Sequence, residues 1–300
     1  MKRFGSQRGM ALVTVLWTMV LLSTAAMAAS TMFRGYVGVM AIDKDRAQAD
    51  GLLTAGIESA ASLMSRLGDT PINDIETTMS LSNGEVRIRL DDEGGLIDIN
   101  KAPVELLAGL FRSIGVKGAD AIAQSIVAAR HKDDKGTAQN TPPVQNAAAK
   151  PSDDDRPFTD VRELVNVPGV LPEWIATLAP LTTVFGDETV NPMTAPPAVI
   201  VALPGFAEGR VRAFLDLRRR VPDDSTPLLA ALGPAQKFAA DKPRRAVRLR
   251  LDARLSDRYR ARANAVVVAV DGDSQPYRVL AWAPIAPDAP DDGSTAMAGQ

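Results

Sequence analysis

Gly9-Met10-Ala11-Leu12-Val13-Thr14-Val15-Leu16-Trp17 opens a run without formal charge that continues to Phe33. Lys2, Arg3 and Arg8 precede it, and Arg34 ends it. Residues 10–33 exceed the roughly 20 apolar residues that a membrane-spanning helix needs. Inside a bilayer the backbone must satisfy its own polar groups, so a single span has to be helical. Basic residues ahead of a span favour a cytoplasmic N-terminus. Everything after Arg34 is then expected on the opposite side of the membrane.

Outward from the span, the helix is expected to continue over residues 34–67. Leu53, Ile57, Ala60, Met64 and Leu67 recur at helical spacing, and Gly68-Asp69-Thr70-Pro71 stops the pattern. A helix from Met10 to Leu67 would be about 87 Å long at 1.5 Å per residue. Glu85-Val86-Arg87-Ile88-Arg89-Leu90 alternates polar and apolar and predicts a half-buried strand. Asp91 to Gly95 predicts a turn, and Leu96-Ile97-Asp98-Ile99-Asn100 a second short strand.

An internal repeat follows. Asp98-Ile99-Asn100-Lys101-Ala102-Pro103-Val104 lines up with Asn191-Pro192-Met193-Thr194-Ala195-Pro196-Pro197. In both copies Ala-Pro opens a helix, where the missing N–H of proline costs nothing. Each copy continues into a second helix, Ala119 to Arg130 and Glu208 to Arg220. Phe158-Thr159-Asp160-Val161-Arg162-Glu163-Leu164 lies between them, with Thr159 as a candidate cap and Glu163 near the capping-box offset. Val221 to Gly233 reads as a worn second copy of that segment. The stretch 132–157, rich in Asp, Pro, Ala and Asn, reads as a linker.

Strands return at the C-terminal end. Ala246 to Ala253 alternates, Ala261 to Val270 is rich in valine, and Tyr277 to Trp282 pairs back across Asp271-Gly272-Asp273. Residues 284–300 carry Pro, Asp, Gly and Ser and read as a disordered tail. Strands on both sides of a helical block predict an α+β chain. In it a long N-terminal helix packs on a small antiparallel sheet (68–92 and 234–283), and a large all-α domain (93–233) is inserted in that sheet.

The leader 1–9, basic and ending in Gly directly before an apolar helix, resembles the type IV prepilin leader. In that family a prepilin peptidase cuts after the Gly and methylates the new N-terminus. The resemblance implies cleavage between Gly9 and Met10, with Met10 N-methylated. The fifth mature residue is normally Glu and is Thr14 here. A carboxylate inside a membrane is costly unless paired, and in pilins its partner is the N-terminal amine of the preceding subunit. Its absence, the helical insert and the flanking strands together resemble the protein K family of type II secretion, minor pseudopilins. The repeat also resembles tandem helix-hairpin-helix (SAM-like) modules. Met193 departs from the Asn usual at that place in the second copy.

The resemblance implies a non-enzymatic subunit at the tip of a short pseudopilus, starting its assembly and supporting export of folded periplasmic proteins. It also implies a single inner-membrane pass with the bulk of the chain in the periplasm. The partners implied are the minor pseudopilins I, J and H, the major pseudopilin G and the prepilin peptidase. The helix face bearing Leu53, Ile57 and Met64 is the expected partner contact. Two other readings of the N-terminus exist: an ordinary signal peptide cut after Ala26-Met27-Ala28, and an unprocessed anchor.

Composition restricts the chemistry. There is no Cys and one His, His131, so thiolate catalysis and the common zinc sites are excluded. A net charge of -2 argues against a general polyanion binder. The best nucleic-acid candidate is Leu203-Pro204-Gly205-Phe206 followed by Arg210, Arg212, Arg218, Arg219 and Arg220. It supports an alternative reading as a membrane-anchored periplasmic DNA-binding protein of the competence type. No cofactor is expected, apart from a calcium candidate at Asp271 and Asp273, whose carboxylates flank a Gly on a loop.

Overall fold

The computed structural model describes residues 7–68, 70–72, 75–130, 158–241, 246–256, 259–270 and 276–285. Helix α1, Gln7–Leu67, contains the span and continues without a break into the globular part. Residues 13–30 are exposed, and this 18-residue window, Val13–Ser30, is apolar and long enough to cross a membrane. Thr18 and Thr24 donate their hydroxyls to the carbonyls of Val15 and Leu21, so neither brings an unsatisfied polar group into that window.

Past Ala49 the helix lies on a five-stranded antiparallel sheet ordered β1-β2-β5-β6-β7. The strands are β1 Ile75–Leu81, β2 Gly84–Asp92, β5 Val247–Leu255, β6 Arg260–Ala269 and β7 Tyr277–Ile285. In β2 and β5 every second residue is buried: Val86, Ile88 and Leu90, then Val247, Leu249, Leu251 and Ala253. They close on Leu52, Leu53, Ile57, Ala60 and Met64 of α1 in one apolar core. Gly56 makes the close approach possible, because a Cβ there would already touch Val86 and Leu251 at 3.1 Å. Pro284, expected in the tail, belongs to β7 and pairs with Ala263. An edge strand tolerates proline because its outward side needs no donor.

The chain leaves the sheet after β2 and returns at β5, so everything between is an insert. Gly84, at the start of β2, lies against Leu52, whereas β2 ends at Asp92, further along α1 from the span. The insert therefore crowns the end of the sheet away from the membrane-spanning half. It contains α2 Val104–Ser113, α3 Ala119–Arg130, α4 Ile175–Leu178, α5 Pro197–Ala202, α6 Val211–Arg220 and α7 Thr226–Leu232, with 3-10 turns between them. Its own core includes Leu106, Phe111, Ile126, Leu164, Leu178, Val199, Ile200, Phe214, Leu228 and Leu232.

Three expectations are corrected here. The insert is not purely helical: β3, Ile97–Asp98, pairs in parallel with β4, Thr182–Thr183, and Val190 bridges Ala239. The predicted strand at 96–100 exists, but it pairs inside the insert rather than in the main sheet. The insert also runs past residue 233, because Ala235, Phe238 and Ala239 are buried in its core. The cap of the segment after Phe158 is Asp160 rather than Thr159. Asp160 accepts from the Arg162 N–H at 2.7 Å and opens a 3-10 turn, Val161–Asn166. Glu163 reaches back to the Thr159 N–H and hydroxyl. The linker 132–157 lies outside the described residues, as do 286–300 of the tail.

Candidate functional site

The anchor is the first candidate. The backbone is already helical through Gly9, Met10 and Thr14, so the expected processing point lies within the continuous helix. Further along, the partner face expected at Leu53, Ile57 and Met64 is corrected. These residues are 3%, 7% and 3% exposed and are covered by the chain's own sheet. Periodicity identifies an apolar face but not what covers it. Exposed apolar side chains lie lower, at Met32, Met40 and Ile42.

The second candidate is the junction between sheet and insert. Glu93 is fully buried where the chain enters the insert. Arg248 of β5 grips it with two bonds, Nε to Oε1 at 2.6 Å and Nη2 to Oε2 at 3.3 Å, and its Nη2 also reaches the Thr182 carbonyl. On either side, Arg250 binds Asp91 and the Thr194 hydroxyl donates to Asp92 at 2.9 Å. The Asn191 N–H donates to the Gly94 carbonyl at 2.8 Å. At Gly95 a Cβ would lie 2.8 Å from the Thr194 backbone, so only glycine lets the two copies of the repeat meet here. A buried carboxylate held bidentately by Arg fixes direction as well as distance.

The repeat is itself a third site, a corner built twice. In copy one, Asp98 Oδ1 accepts from the N–H groups of Asn100 and Lys101 at 2.6 and 3.0 Å, which turns the chain into α2. In copy two, Asn191 Oδ1 accepts from the Met193 N–H at 2.9 Å. An arginine at the end of each second helix then reaches back to the same two corner carbonyls. Arg130 donates to Ile99 and Ala102 at 2.6 and 2.9 Å, and Arg218 to Pro192 and Ala195 at 3.4 and 2.7 Å. Burial lowers the Arg130 guanidinium to about 10, against the pull of Asp98. Burial lowers Arg218 as well. Asp98 is pushed above the usual carboxylate range by burial, opposed by the N–H groups of Asn100, Lys101 and Gly186 and by the Lys101 ammonium.

The repeat marks both corners in the sequence, but the arginines that close them were missed. The distance from the Ala of Ala-Pro to the arginine is 28 residues in one copy and 23 in the other. The offset differs because α5 has 6 residues and α2 has 10.

Of the basic cluster considered for nucleic acid, Arg218 is used in the corner. Arg210 donates to the Ala231 carbonyl at 2.9 Å and lies 5.8 Å from the Phe206 ring centre. Arg219 pairs with Asp216. Arg210, Arg212, Arg219 and Arg220 are all exposed, but Arg210 and Arg219 are already engaged within the chain, which leaves Arg212 and Arg220 as the uncommitted charges of the cluster. Asp271 and Asp273 lie outside the described residues. Among the described residues, no group of three His, Cys, Asp or Glu is placed to hold a metal.

With this geometry in place, known proteins give a direct comparison. Residues 79–187 match the family model described as type II secretion system (T2SS), protein K. The chain is similar to type II secretion system protein K. The matched segment takes in β2, the Asp91–Gly95 side of the junction, the first copy of the repeat and β4. A chain of the crystal structure of the GspK-GspI-GspJ complex from the enterotoxigenic Escherichia coli Type 2 Secretion System has a similar fold. The TM-score is 0.54 at 18% identity, covering 81% of this chain and 98% of that one. The fold shared with protein K is the mixed one described above, an N-terminal helix on an antiparallel sheet. Among curated protein sequences, none matches this chain.

Proposed function

We propose that this chain is a minor pseudopilin at the tip of a type II secretion pseudopilus, where it starts assembly. The observation that carries the reading is the position of the insert. It stands at the end of the sheet away from the span and occupies the space that the next globular domain along the shaft would need. Its junction, with Glu93 buried under Arg248, holds it there rigidly. The residue at the fifth place after the leader agrees. Thr14 has no charge to neutralise a neighbour's N-terminal amine, and leaving that amine unpaired in lipid costs several kcal/mol. Both effects exclude a subunit above this one.

In this reading a prepilin peptidase cuts between Gly9 and Met10 and N-methylates Met10. The anchor crosses the inner membrane once with its N-terminus in the cytoplasm, and the sheet and insert lie in the periplasm. Pseudopilins I and J are its neighbours, H lies below them, and G forms the shaft. The assembly supports export of folded periplasmic proteins across the outer membrane, with no enzymatic step. Full-length chain extracted from inner membranes is expected to co-purify with I and J, one copy of each, and to begin at N-methyl-Met10 by mass spectrometry. Recovery as a lone species would overturn the assembly role, and a mature N-terminus at Ala29 would replace the prepilin reading by a signal peptide.

A further inference from the structure

The face of the sheet turned away from α1 carries charge rather than apolar groups. Alternate residues of β2, β5 and β6 are buried against α1, so Glu85, Arg87, Asp252, Arg254, Arg260 and Arg262 point outward. They form two rows at the end of the sheet where Gly84 meets Leu52, the end nearer the span. Glu85, Arg254 and Arg260 make one row; Arg87, Asp252 and Arg262 make the other, with four guanidinium groups to two carboxylates. Arg254 and Arg260 stand directly opposite each other, a like-charge pair that costs stability.

The anions beside this cluster are already in use. Glu76 takes Arg87 at 3.2 Å and Arg89 at 3.4 Å, and Asp252 takes Arg254 at 3.3 Å. Arg260 is exposed and has no ion pair among the described residues. Single exposed pairs of this kind are weak. The surplus fits a segment that brings several carboxylates at once.

The chain supplies such a segment. Strand β7 ends at Ile285, which pairs with Arg262 in the second row. The sequence continues Ala286-Pro287-Asp288-Ala289-Pro290-Asp291-Asp292, and residues 286–300 hold three Asp and no Lys or Arg. Pro287 and Pro290 have no N–H to donate, which disfavours prolonging the ladder along β6. Neighbouring strands lie about 4.8 Å apart, so β2 is about 14 Å from β7. An extended chain covers about 3.3 Å per residue, so Asp288 can reach about 10 Å from Ile285 and Asp291 about 20 Å. Arg262 and Arg254 lie within the first distance, and Arg87 within the second.

We propose that residues 286–292 cross the outward face of the sheet as an acidic strap, from β7 over β6 and β5 to β2. Asp288 meets the group of Arg254, Arg260 and Arg262, and Asp291 and Asp292 meet Arg87. Tethered at the end of β7, these carboxylates act at a local concentration that a free acidic peptide does not reach. The apolar face under α1 is a poor seat for them, because a buried unpaired carboxylate is costly. An acidic segment of another chain would gain these arginines only by displacing the strap.

The sequence has no Cys, so an introduced pair reports one contact. Gly293→Cys is combined with Thr78→Cys in one variant and with Thr77→Cys in another, in the full-length chain in non-ionic detergent. Thr78 pairs with Arg87 on the outward face, and Thr77 pairs with Ile88 on the face that meets α1. Each disulfide rate is normalised to the reaction of the same β1 thiol with free cystine. The expected result is an intrachain disulfide between 293 and 78, about tenfold faster or more than between 293 and 77. In about 1 M salt, where charges act over about 3 Å, that preference should vanish. Asp288→Lys, Asp291→Lys and Asp292→Lys together should remove it at low salt. Equal rates in the two pairs, or a preference for 77, overturn the proposal. So does a preference for 78 that survives both high salt and charge reversal, because arginines would then not hold the segment. So does a disulfide that joins two chains rather than closing one.

Discussion

In the first half of the insert a buried carboxylate holds the corner; in the second an amide does the same task. Asp98 binds the N–H groups of Asn100, Lys101 and Gly186, and Lys101 adds a bond from its ammonium to the Gly186 carbonyl at 3.1 Å. Asn191 makes one such bond, to the Met193 N–H. Asn100 then clamps Phe158 from both sides, donating to its carbonyl at 2.9 Å and accepting its N–H at 3.1 Å. Met193 stands at the matching place and is buried among apolar side chains instead. The two corners follow one backbone path, but the first gathers distant segments by polar bonds and the second by packing. A carboxylate can accept several N–H bonds at once, whereas an amide oxygen accepts fewer and carries no charge. The first corner therefore fixes the fold of the matched segment, and the second can vary around it.

The sharpest way to break this contrast is at the two arginines. Arg130→Met leaves the Ile99 and Ala102 carbonyls without their donor beside a buried Asp98, and a loss on the order of 3–5 kcal/mol is expected. Arg218→Met should cost less, about 1–3 kcal/mol, since one of its two bonds is long and no carboxylate faces it. Chemical unfolding of the full chain in detergent measures both, and equal losses would remove the distinction. A smaller change is Asn100→Ala, which frees Phe158 and is expected to cost about 1–2 kcal/mol. Met193→Ala removes packing alone and should leave Phe158 in place by hydrogen exchange at its N–H.

Much of this was legible in the sequence because it depends on periodicity and punctuation. The span, the alternation at 85–90 and 246–253 and the paired Ala-Pro starts each have a physical signature in a few adjacent residues. Strand β1 was not legible: Ile75-Glu76-Thr77-Thr78-Met79-Ser80-Leu81 is an edge strand with little apolar contrast. The cover over Leu53, Ile57 and Met64 was not legible either, since a face buried by the chain's own sheet and one buried by a partner share the same spacing. The junction pair Glu93 and Arg248 joins residues 155 apart, which no local pattern can indicate.

The smallest expected effect separates the two corners by their charge. Burial pushes the Asp98 carboxyl above its ordinary value in the folded chain. A carboxyl whose folded value is raised binds its proton more tightly in the native state than in the unfolded chain. Its contribution is therefore fully present below the ordinary carboxylate range and is lost as pH rises through the folded value. Asp98→Asn removes the titration and converts the first corner to the chemistry of Asn191. The difference in unfolding free energy between the parent chain and this variant should fall as pH rises from the ordinary carboxylate range to the raised one, then level off. All other carboxyl groups cancel in that difference, so its slope belongs to this corner. The opposite sign, the parent gaining on the variant as pH rises, would mean that the three N–H bonds, Lys101 and the nearby Arg130 outweigh desolvation. The carboxylate would then be a net stabilising anion, and the first corner would be the stronger of the two by charge as well as by reach.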